Sequence, residues 1–142
     1  MLRVVIDTNV IVSGILSRKG APAELLNAWR ERRFILLSSP ATVAEVRAVL
    51  QYPRIRHKYH LSDEDIEQTI TLLEHDALLV SGDANVAGSV PDDPKDKMFL
   101  ACAMDGQADI VVSGDHHLLD LDVYRDIPMI PARQFLDQLN KE

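Results

Sequence analysis

Cysteine is almost absent from this sequence, and long hydrophobic runs are missing altogether. The single cysteine, Cys102, has no partner for a disulfide within the chain, which favours a reducing compartment. Uncharged apolar runs fall far short of the ~20 residues that a membrane-spanning helix needs, so we expect no membrane segment. Residues 1–7 contain no hydrophobic stretch that ends in small residues, so we expect no signal peptide. Together these absences predict a cytoplasmic protein.

Glycine and histidine patterns that mark common ligand sites are also missing. With 6 glycines in 142 residues, the chain has no glycine-rich phosphate loop and no dinucleotide-binding fingerprint. His57 and His60 have the spacing of a metal-binding pair, but no third ligand accompanies them, so we interpret this segment as a surface. The composition, 46% apolar and 26% charged, is that of a globular protein that folds without disulfides, and we predict one domain over residues 1–142.

Positive charge is scarce overall but concentrated early in the chain. The formal net charge is -7, which taken alone argues against a nucleic-acid partner. Residues 1–60, however, hold 10 Lys and Arg against 4 Asp and Glu, whereas residues 61–142 hold 5 against 18. Two clusters carry much of the positive charge: Arg30, Arg32 and Arg33, and Arg54, Arg56 and Lys58. They fit either solvated patches or a phosphate-contacting surface beside an acidic metal site, and charge alone leaves both open.

Short apolar runs alternate with helical patterns along the chain. The runs predict strands over residues 2–6, 34–37, 77–80, 110–112 and 127–130. Helices are predicted from Pro22, from Pro40, after the capping segment 62–65, from Asp93-Pro94 and around Phe135. Strands that alternate with helices favour an α/β fold, a three-layer sandwich in which helices flank a mostly parallel sheet of about five strands.

Three aspartates are predicted to meet at one edge of that sheet. Asp7 follows the first strand, Asp115 follows the fourth, and Asp96 lies in the first turn of the helix that leads into the fourth. The carboxyl ends of strands and the starts of the following helices share an edge in this architecture, and ligands gather there. Glu45 lies at the border of the buried face of its helix, so its carboxylate is able to join the aspartates.

Each of these acids also has a purely structural interpretation. Asp7 fits the start of a turn and Asp115 fits a helix cap. Asp96 fits a capping box with Asp93, and Glu45 fits a solvated helix flank. As a group they favour a site, because clustered carboxylates repel and either take up protons or hold a cation. An all-oxygen set without clustered Cys or His suits Mg²⁺ or Mn²⁺, ions that assist phosphodiester hydrolysis.

Four segments of the chain combine into a pattern of higher specificity. They are Val4-Val5-Ile6-Asp7-Thr8-Asn9-Val10, Glu45 on its helix, Asp93-Pro94-Lys95-Asp96 before Phe99-Leu100-Ala101, and Val112-Ser113-Gly114-Asp115. In this order and spacing, over nearly the whole chain, they resemble the PIN-domain ribonucleases, and most closely the bacterial and archaeal branch described as toxins of toxin–antitoxin pairs. The resemblance implies a Rossmann-like core and an endoribonuclease that uses Mg²⁺ or Mn²⁺.

The resemblance also implies roles for individual residues and partners. The acidic metal site would consist of Asp7, Glu45, Asp96 and Asp115, with Thr8, Asn9 and Ser113 as polar supports. His117 stands where related sequences often carry another acid, which leaves the number of metals open and favours Mn²⁺. The expected partners are an RNA substrate, an antitoxin protein and a second copy of the chain. Candidate RNA contacts come from the two basic clusters: Arg30, Arg33, Arg54, Arg56 and Lys58.

Two other classes of function remain as alternatives. A phosphatase with an aspartate nucleophile also places Asp after its first strand, but it usually carries a second Asp two residues later, where this chain has Asn9. A catalytically inactive scaffold that binds RNA or protein would explain His117 as erosion of the site, yet all four acids are retained.

Overall fold

Six strands form one sheet in the computed structural model, which describes residues 1–86 and 94–141. The strands are β1 (Arg3–Ile6), β2 (Ile35–Ser38), β3 (Leu78–Leu79), β4 (Ile110–Val112), β5 (Val123–Tyr124) and β6 (Ile127–Ile130). The helices of the described residues are α1 (Thr8–Leu16), α2 (Ala21–Arg30), α3 (Pro40–Leu50), α4 (Pro53–Lys58), α5 (Asp63–Asp76), α6 (Pro94–Asp105), α7 (His116–Leu121) and α8 (Ala132–Asn140).

The sheet confirms the predicted α/β architecture and adds one short strand. Its order is β3-β2-β1-β4-β6-β5, and the pairs β1–β2, β1–β4, β2–β3 and β4–β6 are parallel. The additional strand is β5, two residues long, which pairs antiparallel with β6 at the edge. Val123 and Tyr124 are flanked by Asp122 and Arg125, so they form no apolar run of the kind that predicted the other five strands.

Alternating side chains divide the core into two parts, one on each face of the sheet. Val4 and Ile6 belong to the cluster that packs with α1, α2, α3, α5 and α8, whereas Val5 belongs to the cluster that packs with α6 and α7. Both clusters are buried, which explains why the central strands β1 and β4 are apolar at every position except Arg3, the first residue of β1. The molecule therefore has the predicted three layers.

Three helices, α1, α4 and α7, occur where the sequence pattern predicted none. Helix α1 contains Gly14, an unfavourable residue for a helix interior that masked the helical pattern. A Cβ at this position would lie 2.6 Å from the carbonyl oxygen of Pro22 and 2.7 Å from Leu26 Cδ1, so glycine permits the close packing of α1 on α2. Helix α4 begins at Pro53, a residue whose fixed backbone angle suits the first position of a helix. Among the described residues, no helix is long and apolar enough to cross a bilayer.

The chain reverses its direction of travel across the sheet between β1 and β4. From β1 it moves outward to β2 and β3, and it then returns to place β4 on the other side of β1. In open parallel sheets such a switch point leaves a crevice at the carboxyl ends of the two central strands. Asp7 follows β1 directly and Ser113 follows β4 directly, so both residues lie at that crevice.

Candidate active site

Asp7 is held at the crevice by a set of hydrogen-bond donors. As the N-cap of α1, it accepts a bond at Oδ1 from the backbone N–H of Val10, at 3.0 Å. Its Oδ2 accepts from Ser113 Oγ at 2.5 Å and from the backbone N–H of Gly114 at 3.2 Å. Ser113 Oγ in turn accepts from the backbone N–H of Asp115, at 2.9 Å. The ends of β1 and β4 are thus joined through a buried carboxylate.

Burial dominates the electrostatics of Asp7, whose side chain is almost fully removed from solvent. Desolvation raises the pKa of this carboxyl above its ordinary value of 3.8, and the negative charge of Asp115 raises it further. The donors Ser113, Val10 and Gly114 lower the pKa, but they only partly offset the burial. A cation near Asp7 would therefore relieve an unfavourable buried charge.

Asp115 combines a structural role with a position at the crevice. It is the N-cap of α7, where its Oδ1 accepts a bond from the backbone N–H of His117 at 2.9 Å. The same side chain lines a cavity with Asp7, and its charge acts on the pKa of Asp7. The cap interpretation and the site interpretation of this residue are therefore compatible.

Asp96 and Glu45 approach the crevice from two helices. Asp96 lies in the first turn of α6 and is only 2% exposed. Its predicted capping partner, Asp93, lies outside the described residues. Glu45 extends from α3, where its Oε1 lies 3.2 Å from Lys95 Nζ. The side chain of Glu45 is 16% exposed and that of Lys95 is 59% exposed, so the pair lies at the mouth of the crevice.

All four predicted acids line one cavity of about 240 Å³, which we call the acid cavity. Thr8 and Asn9 line it with them, and Ser113 lies behind Asp7 as its hydrogen-bond donor. The predicted neighbour His117 contributes its backbone N–H to Asp115, and its exposed ring is not among the lining groups that the described residues provide. The topology thus brings together residues that are up to 108 positions apart in the sequence.

The lining of the acid cavity fits a hard divalent cation by its chemistry. The carboxylate oxygens are the ligands that Mg²⁺ and Mn²⁺ prefer. Within residues 1–86 and 94–141, the hydroxyl Oγ1 of Thr8 is buried and has no hydrogen-bond partner, as expected of a group that serves a bound water or ion. In the same part of the chain, however, no three carboxylate, imidazole or thiol groups are arranged closely enough to coordinate one ion as they stand.

The five basic residues predicted to contact RNA occupy different parts of the surface. Arg54 lines the acid cavity, and Lys58 lies one helical turn further along α4. Arg56 pairs with Asp63 instead, and Arg33 donates to the backbone oxygen of Leu139 and to Asn140. Arg30 lines other cavities, remote from the four acids.

Two polar side chains that the described residues contribute to the acid cavity have no place in the predicted site. Lys95 pairs with Glu45, and Tyr52 lines the cavity beside Arg54. Lys95 is adjacent to Asp96 in the sequence, which is a signal that could have identified it. Tyr52 precedes Pro53 in a segment for which no helix was predicted, so its position depended on the unrecognised helix α4.

Comparisons with known proteins bear on the fold and the family. The sequence model of the family described as "PIN domain" matches residues 3–117. The uncharacterized protein MJ1680 of Methanocaldococcus jannaschii is 28% identical over 120 residues, which cover 84% of this chain and 75% of that protein. A chain in the crystal structure of VapBC2 from Rickettsia felis, bound to a DNA fragment from their promoter, superposes with a TM-score of 0.60. That match covers 90% of this chain and 97% of the other at 11% identity, so it concerns the fold.

Proposed function

The chain belongs to the PIN domain family, and from this membership and its acid cavity we propose that it is a metal-dependent endoribonuclease. The observation that carries the proposal is the convergence of four acids on one cavity at the switch point of the sheet. Two of them, Asp7 and Asp96, are buried carboxylates, which a protein retains at a cost unless a cation or hydrogen bonds compensate their charge. A divalent ion held by carboxylates in this cavity would be suited to phosphodiester hydrolysis, because it would stabilise charge on the phosphate and activate a water molecule.

The residues of the acid cavity would share the work of binding and proton transfer. Asp7 and Asp96 would hold Mg²⁺ or Mn²⁺, since they lie deepest and gain most from a counter charge. When bound, such an ion supplies Lewis acidity toward the scissile phosphate and lowers the pKa of a water molecule. Asp115 and Glu45 would complete the ligand set and accept the proton of the attacking water. Thr8 Oγ1, buried beside them, would hold that water by a hydrogen bond.

Glu45 would reach the ligand set by exchanging one cation for another. Its present partner is the ammonium of Lys95, 3.2 Å away at the mouth of the cavity. A divalent ion carries twice the charge of that ammonium and accepts several carboxylate oxygens at once. We expect the acids to close around the ion when it binds.

We also propose that the protein is the toxin of a toxin–antitoxin pair, active on cellular RNA in the cytoplasm and able to form a homodimer. The support is the sequence resemblance to that branch of the family, together with the fold shared with a chain of the VapBC2 assembly. Expression in a bacterial host tests this point directly. Wild-type protein should arrest growth, the Asp96→Asn variant should not, and an antitoxin encoded beside the gene should restore growth.

Cleavage of total RNA tests the nuclease proposal. Wild-type protein and Asp96→Asn are incubated with RNA in Mn²⁺, in Mg²⁺ and in EDTA, and the new 5′ ends are mapped by sequencing. A matched control is Asp63→Asn, which also changes an aspartate in the first turn of a helix but lies on the surface beside Arg56. Metal-dependent cuts by the wild type and the control, with none by Asp96→Asn, are the expected result.

The opposite outcomes identify the alternatives. If folded wild-type protein makes no cuts under any metal condition, the proposal is wrong and the inactive scaffold is favoured. If Asp96→Asn cuts RNA as well as the wild type does, Asp96 has only a structural role in the first turn of α6. Hydrolysis of small phosphate esters in place of RNA would favour the phosphatase. Circular dichroism must first establish that all three proteins are folded.

A further inference from the structure

A cavity of about 520 Å³ lies at the edge of the sheet opposite the acid cavity. Its lining includes Ile35, the first residue of β2, and Leu78, the first residue of β3. The acid cavity lies instead where the strands end, so the length of a four-residue strand, about 13 Å, separates the two. Arg30 and Arg32 also line the cavity at the starts of the strands, which we call the arginine cavity.

The floor of the arginine cavity is apolar. Trp29 and Phe34 line it, and because they are only 6% and 2% exposed, their rings are held rigidly by the core. Leu78 is 41% exposed, so this cavity retains apolar surface from which a ligand would displace water. A volume of about 520 Å³ lies in the range of cavities that hold small molecules, and those cavities combine an apolar lining with a few polar groups.

Arg32 reaches this cavity from a backbone conformation that favours glycine. Its φ is 61°, in the left-handed region, where a Cβ is strained. The N–H of Arg32 donates to the carbonyl oxygen of Trp29, and the N–H of Arg33 donates to that of Ala28. Helices commonly end with this pair of bonds and a glycine at the left-handed position. The chain therefore holds an arginine where glycine would cost less, which points to a use for the side chain.

The guanidinium groups of Arg30 and Arg32 are not neutralised by the protein. Within residues 1–86 and 94–141, neither takes part in an ion pair or a side-chain hydrogen bond. Arg125 also has a positive φ, but its side chain donates to the backbone oxygen of Asn85 and lies 5.1 Å from the centre of the Tyr124 ring. Guanidinium groups without such contacts are suited to phosphate oxygens, which they bind through paired N–H donors.

From this arrangement we propose that the arginine cavity binds a nucleoside phosphate, with the phosphate on Arg30 and Arg32 and the base against the apolar floor. Asp76 lines the same cavity and supplies a carboxylate, the group that accepts hydrogen bonds from ribose hydroxyls in dinucleotide sites. An inorganic anion would leave the apolar floor uncovered, and an apolar molecule would leave the guanidinium groups unpaired. The inference does not depend on the proposed nuclease function, because the two cavities lie at opposite edges of the sheet.

Isothermal titration with AMP in EDTA tests the site, since without metal the acid cavity has no cation to attract a phosphate. We expect AMP to bind at least about tenfold more tightly than adenosine or inorganic phosphate, because each of these makes only part of the contacts. Arg32→Gly should weaken AMP binding about tenfold or more. The same change should leave Tm unchanged or raise it, because glycine adopts a φ of 61° without strain. Arg30→Ala, in the last turn of α2, should give a similar loss of affinity.

Two controls separate this site from charge alone and from the acid cavity. Arg125→Gly also removes a positive charge and a positive φ, and it should leave the affinity for AMP unaltered. Asp96→Asn changes the acid cavity and should leave it unaltered as well. Unchanged AMP binding by both Arg32→Gly and Arg30→Ala would overturn the inference, and so would a folded wild type that binds no AMP. If Asp96→Asn alone loses binding, AMP occupies the acid cavity and the inference is wrong. Equal affinity for inorganic phosphate would refute the role of the apolar floor.

Discussion

Ser113→Ala is a sensitive test of how the candidate site is built. The side chain is fully buried, and its Oγ donates to Asp7 Oδ2 and accepts from the backbone N–H of Asp115. A hydrogen bond to a charged group contributes about 1.5–3 kcal/mol, and a partly buried N–H left without its acceptor costs about 1 kcal/mol. We therefore expect the free energy of unfolding to fall by about 2.5–4 kcal/mol at neutral pH in EDTA. For a chain of this length that lowers Tm by about 3 °C per kcal/mol.

The pH dependence of this loss distinguishes the proposed arrangement from simple packing. Burial raises the pKa of Asp7 in the folded protein above its ordinary value of 3.8. The contribution of this carboxyl to the free energy of unfolding is therefore largest below pH 3.8, and it is lost as the pH rises through the pKa of Asp7 in the folded protein. The Ser113 bond lowers the pKa of Asp7, so its removal raises that pKa further. The loss in Ser113→Ala should therefore be complete at neutral pH and should diminish as pH falls and Asp7 becomes protonated in both proteins.

Urea unfolding followed by circular dichroism, over a series from about pH 4 to pH 8, measures both effects. Ser39→Ala is the matched control, because Ser39 is equally buried but caps α3 by accepting from the backbone N–H of Thr42. That change should cost about 1 kcal/mol at every pH in the series. If the loss in Ser113→Ala were equally small and independent of pH, the hydroxyl would not be stabilising a buried carboxylate and the reasoning would be refuted.

Two further changes test the packing and the charge around the same site. Gly14→Ala should lower the free energy of unfolding by about 1–3 kcal/mol, although alanine has the better helix propensity. The reason is that its Cβ would lie 2.6 Å from the backbone oxygen of Pro22. Urea unfolding of the variant measures the change. An unchanged or higher stability would mean that α1 and α2 are not in such close contact. Lys95→Met should bind Mn²⁺ more tightly than the wild type, because the ammonium of Lys95 no longer competes for Glu45. The measurement is the rise in Tm on addition of Mn²⁺, and Lys97→Met is the control. A smaller rise than in the wild type would contradict the exchange of one cation for another.

Much of the fold was predictable because its central strands are buried on both faces. Apolar runs at 2–6 and 110–112 are recognisable for that reason, and the observed β1 and β4 lie within them. Cys102 lies buried in α6, where removal from solvent raises the pKa of its thiol to about 12. The helix α1 was not predictable, because the glycine that breaks its pattern is required by a contact with α2. A contact between helices cannot be read from local propensity.

The convergence of the acids on one cavity was predictable from topology, whereas the position of the cation Arg54 at that cavity was not. Asp7 and Asp115 follow strands that lie side by side in any sheet of this order, so their meeting depends on the fold alone. The position of Arg54, by contrast, depends on the six-residue helix α4, which is too short for a hydrophobic period. The sequence distinguished two basic clusters but offered no reason to separate Arg54 from Arg56, which face different partners.

The choice between helix cap and site residue, which the sequence left open, has a physical resolution. Asp7 and Asp115 are both N-caps, and both line the acid cavity. A cap uses one carboxylate oxygen to accept from the first turn of a helix, and it fixes the side chain against a rigid element. The positive end of the helix dipole lowers the cost of holding an anion there. The same bond that caps the helix therefore orients the carboxylate toward the crevice, so a capping role is a means of building such a site and not an argument against one.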